Sequence, residues 1–257
     1  MNLRFWPWVH LVIGLLLGIS GPTTKAETIK IALFEYPPFL AEKATGYGLE
    51  PQVVSAAFKR VNIDVKYTFL PPGRALLVAA NGDFQATLGW VKTEVRERDF
   101  YFSEPIAEAP LVFFHLKSFP FSWKTYDDLE GVLIGTVIKY NYGDEFETAL
   151  KAGKIQIDEA GKDESNFKKL LLGRNAITPV NLYVGYYLLQ ETFGPATAKL
   201  FTHHPLPLKI SVHHVLFPKA LKESFSRSVL FNQGLQKIKD SGEYKKILDE
   251  YHLKSRE

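Results

Sequence analysis

The chain has 257 residues, with 31 lysine and arginine residues against 28 aspartate and glutamate residues, and it contains no cysteine. This near balance of charge gives no reason to expect a nucleic acid as partner, and the lack of cysteine excludes disulfides, thiolate catalysis and lipid attachment through a cysteine. The chain is longer than one ordinary domain, which predicts two lobes, each with its own core.

Residues 1–26 have the order of a secretory signal peptide. Arg4 precedes an apolar run at 9–19, and small and polar residues then lead to Ala26. Because the apolar run is too short to span a bilayer comfortably, we predict cleavage near Ala26 and export to the periplasm. A membrane anchor that stays in place is the alternative. The predicted mature chain loses Arg4 and Lys25 but no acidic residue, so it is almost neutral.

The first part of the mature chain shows alternating strand and helix patterns. Residues 28–34 are β-branched and apolar, as in a buried strand, and residues 50–62 place apolar side chains at helical spacing. Residues 65–70 alternate as a second strand. This order predicts a parallel α/β layer. Between the first strand and helix, two prolines make a rigid loop at 36–39 whose aromatic side chains either contact a ligand or cover the local core.

Residues 71–96 contain the candidate on which the functional prediction depends. A Pro-Pro-Gly turn leads into a short apolar helix that ends at residues 81–82, and a strand at 84–88 follows. Thr93 is the predicted N-cap of the next helix, which places Arg96 in its first turn. A cation there opposes the helix dipole, whereas a guanidinium matches a carboxylate with two parallel hydrogen bonds, so Arg96 is a candidate anion ligand. A solvated, charged helix face is the alternative.

The second half predicts another unit that begins with a strand, at 132–138. Its loop at 139–143 carries amide and phenol groups. The further predicted elements are a helix at 144–150, a strand at 154–157, a helix at 165–172, a strand at 176–180, a helix from Asn181 to Leu189 and a strand at 209–217. Two amphipathic helices with Gly242 between them close the chain.

Several motifs occur in the order typical of one protein family. They are Tyr-Pro-Pro-Phe at 36–39, Gly-Asp-Phe at 82–84, Gly89 through Thr93 to Arg96, Phe-Ser-Glu-Pro at 102–105, Asp-Leu-Glu-Gly at 128–131, Ile-Gly at 134–135 and Gly-Glu-Tyr-Lys-Lys-Ile at 242–247. This order resembles the family 3 extracellular solute-binding proteins, which include periplasmic receptors of polar amino-acid importers. The resemblance covers nearly the whole mature chain.

The resemblance implies a fold and a function. The fold is α/β, the two-lobed type II periplasmic-binding-protein fold, with a ligand cleft between the lobes and hinge crossovers near 111–116 and 209–217. The implied domains are the signal peptide at 1–26, a first lobe at 27–115 and 215–257, and a second lobe at 116–214. The implied function is capture of a small carboxylate-bearing solute, anionic or zwitterionic, for an inner-membrane ABC permease, by a monomer without cofactor, metal or catalysis.

The resemblance also implies the ligand-binding residues. Arg96 falls where the family binds an α-carboxylate, Gly89 lies in the loop that lends backbone groups, and Tyr36 and Phe39 match the aromatic wall. The remaining predicted contacts are Trp90, Val91, Tyr140, Asn141 and Asn181. Arg74 is a further candidate, because the family more often has an aliphatic residue near this point and the Pro-Pro-Gly turn can direct its side chain at the cleft. A surface cation at a helix start is the alternative for Arg74.

Three positions depart from the family pattern. Val91 stands where a hydroxyl residue is usual, and Trp90 replaces a smaller residue. Asn181 stands where an aspartate normally binds the ligand's ammonium group. An amide accepts hydrogen bonds but supplies no compensating charge. The solute therefore either lacks an ammonium group or has its charge met elsewhere, for which Glu35 is a candidate.

Two other classes of function stay open at the level of sequence. A small-molecule lyase resembling a dehydratase occurs on the same fold, and Glu35 and Glu50 are the carboxylates we nominate for such chemistry. A free-standing ligand sensor is the second alternative. The histidine pairs at 203–204 and 213–214 do not predict a metal site, because neighbouring residues on a strand point to opposite faces.

Overall fold

The computed structural model describes residues 27–138 and 140–254. The predicted signal peptide and its cleavage site near Ala26 lie outside the described residues. Of the helices that are described, none combines the length and the apolar character needed to cross a membrane.

The strands are β1 (Glu27–Leu33), β2 (Ile63–Phe69), β3 (Ala86–Val91), β4 (Phe100–Phe102), β5 (Ala107–Leu116), β6 (Leu133–Val137), β7 (Gln156–Ala160), β8 (Thr178–Asn181), β9 (Phe201–His203) and β10 (Lys209–Pro218). The helices are α1 (Leu49–Lys59), α2 (Pro72–Ala80), α3 (Glu94–Asp99), α4 (Asp144–Lys151), α5 (Asp163–Leu171), α6 (Leu182–Leu188), α7 (Gly194–Ala198), α8 (Ser224–Asp240) and α9 (Glu243–Lys254). Short 3₁₀ helices lie at Thr45–Tyr47 and Tyr126–Leu129, and α6 continues as a π-helix over Leu189–Phe193.

Most of the strands belong to one sheet of order β2-β1-β3-β10-β5-β8. Strand β1 pairs in parallel with β2 and β3, which confirms the parallel α/β layer predicted for the first part of the chain. Strands β6 and β7 form a separate parallel pair, and Ile134 of β6 bridges in parallel to Ile177, next to β8. The two groups of strands are therefore built alike.

Strands β5 and β10 connect the two groups. They pair antiparallel with each other where Ala107 meets His213 and Leu111 meets Lys209. Beyond this shared segment, β10 pairs with β3 and β4, whereas β5 pairs with β8 and β9. These are the two strands predicted as hinge crossovers. The residues at which the lobes divide stay a prediction.

Separate hydrophobic cores lie on the two sides of these strands. The first lobe has a core of buried side chains from β1, β3, α1 and α8, together with the carboxyl half of β10. The second lobe has two smaller clusters, one beside β6 and α4 and one beside α5 and β8. Tyr183 of α6 packs into the core of the first lobe, so α6 contacts both lobes.

The start of α5 differs from the sequence prediction. The helix begins at Asp163 rather than at residue 165. Lys162 occupies the N-cap position and makes no side-chain capping bond, so the sequence carries no capping signal at the true start. The correction places Asp163 in the first helical turn.

Candidate functional site

A cavity of about 370 Å³ lies between the two lobes. The first lobe contributes the loop after β1, the end of β3 and α3, and the second lobe contributes the loop after β6 and the starts of α5 and α6. Both crossover strands contribute side chains as well. The predicted ligand contacts that line the cavity are Tyr36, Gly89, Trp90, Val91, Arg96, Tyr140, Asn141 and Asn181.

Arg96 is held against the wall of the cavity. The Thr93 side chain accepts a hydrogen bond from the Arg96 backbone N–H at 3.3 Å, which confirms the predicted N-cap. The Arg96 Nη1 atom donates to the carbonyl of Val91 at 2.8 Å, and the guanidinium carbon lies 4.8 Å from the centre of the Trp90 ring. Burial lowers the pKa of Arg96, but arginine stays charged in proteins. A guanidinium with five donors thus keeps N–H groups for an anion.

Gly89 is required by its backbone conformation and by its neighbours. Its φ of +84° lies in a region that other residues rarely adopt, and an added Cβ would lie 2.8 Å from Leu40 Cδ1. That Cβ would also lie 3.3 Å from Glu50 Oε2, a buried oxygen that has no hydrogen-bond partner among the described residues. Glu50 is fully buried, and its other oxygen accepts a hydrogen bond from His213 Nδ1 at 2.5 Å. His213 itself lines the cavity.

Phe39 and Arg74, two of the predicted direct contacts, are not among the residues that line this cavity. Phe39 is fully buried, and its ring stacks on Tyr36 with centroids 5.4 Å apart, so Phe39 supports the aromatic wall from behind. The hydrophobic burial that makes Phe39 a good core residue removes it from the surface of the cleft. Arg74 is exposed on the first turn of α2, and its charge stays in solvent there.

The two asparagines that line the cavity have their side-chain oxygen atoms occupied. Asn181 Oδ1 caps α6 by accepting from the backbone N–H groups of Tyr183 at 3.0 Å and Val184 at 3.2 Å. Asn141 Oδ1 accepts from the Gly143 N–H at 3.0 Å and from Lys209 Nζ at 3.1 Å. Because these partners are donors, the amide NH₂ groups are the parts of both side chains left for a ligand.

Sequence reasoning missed three charged or titratable residues of the cavity: Asp163, Lys209 and His213. Asp163 is 8% exposed, and burial raises its pKa to about 6, with Glu164 adding to the increase. Burial lowers the pKa of Lys209, which Asp144 opposes. The available signal for Asp163 was its place after a second-lobe strand, at the sheet edge where ligands of α/β folds bind.

A second cavity, of about 720 Å³, lies between the loop after β1 and the α6 region. It is larger than the first, but it contains only Glu35 of the acidic residues nominated from the sequence, and Arg96 is not part of it. Glu35 Oε1 accepts a hydrogen bond from the Glu42 N–H at 2.9 Å. Neither Glu35 nor Glu50 lines the cavity between the lobes, so the structure does not place the carboxylates nominated for lyase chemistry beside Arg96.

The histidine pairs are used separately. His213 bonds to Glu50, His214 Nδ1 lies 2.8 Å from the Ser103 carbonyl, and His203 Nδ1 lies 2.7 Å from the Tyr186 hydroxyl. Within residues 27–138 and 140–254, no group of three side chains suited to a metal ion is found.

Comparison with known proteins gives a family and a fold. The profile of the bacterial extracellular solute-binding proteins, family 3, matches residues 29–254. A search of curated proteins finds no match.

Solved structures share the two-lobed fold. Substrate-binding domain 2 of GlnP from Lactococcus lactis, in an open conformation, has a TM-score of 0.72 at 19% identity, covering 89% of this chain and 97% of that domain. YckB from Bacillus subtilis has a TM-score of 0.68 at 20% identity, with 88% and 91% covered. An ancestral arginine-binding protein bound to arginine has a TM-score of 0.61 at 18% identity, with 88% and 99% covered.

Proposed function

Because the chain belongs to the bacterial extracellular solute-binding proteins of family 3, we propose that it captures a small carboxylate-bearing solute between its lobes. The solute is an amino acid or a related compound, and an ABC-type importer of the inner membrane receives it. The protein acts in the periplasm after the signal peptide is cleaved. It binds its solute as a monomer, without a cofactor and without chemical conversion.

The observation that carries the proposal is the placement of Arg96. Its guanidinium is stacked on Trp90 and bonded to the Val91 carbonyl, at the edge of a cavity whose asparagines present N–H groups. Charge-assisted hydrogen bonds from a guanidinium to a carboxylate are about twice as strong as neutral ones. A group with two acceptor oxygens is therefore the natural partner.

The remaining predicted residues complete the site around the solute. Tyr36 and Trp90 form the aromatic wall on the first lobe, where burial raises the pKa of Tyr36 to about 12 and keeps its hydroxyl neutral. Tyr140, Asn141 and Asn181 face them from the second lobe. A solute that contacts both lobes favours the closed arrangement, because closure adds contacts that the open state lacks.

A thermal-shift screen of amino acids, dicarboxylates and small peptides tests the proposal, followed by calorimetry with the best binder. Arg96→Ala should weaken that binding at least about tenfold, because losing a charge-assisted pair exceeds about 1.4 kcal/mol. Arg98→Ala is the matched control, since Arg98 is an exposed arginine on the same helix. An unchanged dissociation constant in Arg96→Ala removes Arg96 from the site. Failure of every carboxylate-bearing compound to bind rejects the proposal.

The transport part is tested separately. Uptake of the radiolabelled best binder should fall in a strain that lacks this protein and recover when the gene is restored. Uptake that does not depend on the protein would exclude delivery to an importer.

A further inference from the structure

The cavity between the lobes is rich in hydrogen-bond donors and contains one acidic side chain. Its donors include Arg96 and Lys209, together with the amide NH₂ groups of Asn141 and Asn181. Among the described residues that line the cavity, Asp163 carries the only carboxylate. A positively charged group on a solute can therefore pair with one negatively charged side chain of this lining, Asp163.

Asn181 is unsuited to receive an ammonium group. An ammonium donates hydrogen bonds and needs an acceptor, but Asn181 Oδ1 already accepts two backbone N–H groups as the cap of α6. The oxygen cannot turn away without leaving these helix N–H groups unpaired. Asn181 therefore presents its NH₂ group, a hydrogen-bond donor, to the cavity.

Asp163 has the opposite properties. Its side chain is 8% exposed, and its Oδ1 atom is buried without any hydrogen-bond partner among the described residues. Burying a carboxylate oxygen without a hydrogen-bond partner is unfavourable. A binding site is a place where such a group gains its partner when the ligand arrives. Lys209 is not the partner of Asp163, because its Nζ donates to the Asn141 carbonyl at 2.7 Å and to the Asn141 side chain.

The surroundings of Asp163 place it between the lobes. Asp163 lines the cavity together with Tyr36 of the first lobe and Tyr140 of the second. Burial is the main cause of the raised pKa of Tyr36, Tyr140 and Tyr142, and the negative charge of Asp163 adds to the increase for each hydroxyl. Glu164, the next residue of α5, adds to the effect of burial and raises the pKa of Asp163 further. Asp163 therefore lies within electrostatic reach of a solute that touches both walls.

We infer that Asp163 binds the ammonium group of the solute, so that the solute is a zwitterion held with its carboxylate at Arg96 and its ammonium at Asp163. This inference rests on the proposed function, since it assumes that the cavity holds a carboxylate-bearing solute. Asp163 then binds the ammonium group, which in the family pattern is the role of the aspartate at position 181.

Pairs of probes that differ only in the amino group test this inference. A panel of L-amino acids is measured by calorimetry beside the same acids without the α-amino group, such as L-glutamate with glutarate and L-leucine with 4-methylpentanoate. The wild-type protein should bind its preferred amino acid about 10- to 100-fold more tightly than the matched acid, because a hydrogen-bonded charge pair is lost.

Asp163→Asn should abolish this preference by weakening only the amino acid. Glu164→Gln is the matched control: it removes the same charge from the neighbouring position, which does not line the cavity, and should keep the preference. Asp163→Ser is a second variant in case the first does not fold, and the wild-type comparison of paired probes needs no variant.

Each outcome has one meaning. A wild-type protein that binds the matched acid as tightly as the amino acid, or an Asp163→Asn protein that keeps the preference, overturns the role of Asp163 and leaves the carboxylate site intact. If neither series binds the wild-type protein, the proposed function itself fails.

Discussion

Asp163 and Glu50 show two ways in which this protein keeps an acidic side chain inside. Glu50 is fully buried, but one of its oxygens bonds to His213. Asp163 has a buried oxygen without a hydrogen-bond partner in the described part of the chain, and its pKa is raised to about 6 because burial disfavours the charged form. The free energy of folding should therefore depend on the protonation of Asp163 in the ligand-free protein.

We predict that Asp163→Asn stabilises the ligand-free protein near pH 7 and much less near pH 4. A raised pKa means that the folded state binds the proton more tightly than the unfolded state, so the stabilisation from protonated Asp163 is complete below the unfolded value of 3.8 and is lost as the pH rises through about 6. The loss is on the order of 3 kcal/mol, at about 1.4 kcal/mol for each tenfold change in the acid dissociation constant.

Urea unfolding of both proteins at several pH values measures this difference. Glu164 and the tyrosines at 36, 140 and 142 surround Asp163 in both proteins, so their own titration largely cancels in the comparison. A difference in unfolding free energy that is the same at pH 4 and pH 7 would contradict the prediction.

At the scale of elements, the contact between α1 and α8 depends on a glycine. A Cβ added at Gly234 would lie 2.0 Å from the carbonyl oxygen of Ala57, so the two helix backbones touch at this point. Backbone atoms cannot move aside as a side chain does. The close approach allows Phe58 and Phe231 to pack with ring centroids 4.9 Å apart in the core of the first lobe.

We predict that Gly234→Ala lowers the free energy of unfolding by about 3 kcal/mol or more, at the upper end of the usual range for overpacking. Gly73→Ala is the control, because a Cβ at that helical position meets nothing within 4 Å. This change should be neutral or stabilising by up to about 1 kcal/mol, since alanine restricts the unfolded chain. Chemical denaturation of the two variants gives the comparison, and equal stabilities would show that α8 shifts without cost.

At the scale of the whole molecule, the two lobes are joined by β5 and β10, and the cavity takes residues from both sides. A small rotation at these strands changes the distance between Arg96 and Asp163. A solute that binds both residues therefore gains most when the lobes approach each other.

We predict that a saturating amino-acid ligand reduces the radius of gyration measured by small-angle X-ray scattering. The same ligand at about 100 times its dissociation constant should stabilise the fold by about 2.7 kcal/mol, visible as a higher melting temperature. Arg96→Ala at the same ligand concentration should show less of both effects. Binding at full occupancy with an unchanged radius of gyration would mean that the lobes do not close on the solute.

Much of the site could be predicted from the sequence because its signals are local. The N-cap at Thr93 and the helix after Asn181 depend on neighbours three residues away or fewer, and the family pattern aligned Arg96 with an anion site. Asp163 could not be found in this way, because its burial and its electrostatic contact with Tyr36 of the other lobe arise from the tertiary fold, and its helix begins without a side-chain cap.

The sequence alone determined the alternation of strands and helices, the two-lobed family fold and the candidate role of Arg96, since these follow from short-range patterns and motif order. Only the tertiary structure decided that Phe39 lies behind Tyr36, that Arg74 stays outside the cleft and that Asn181 uses its oxygen as a helix cap. These outcomes depend on which side chains meet across the fold. Burial and hydrogen-bond pairing are properties of such contacts, and a linear pattern does not contain them.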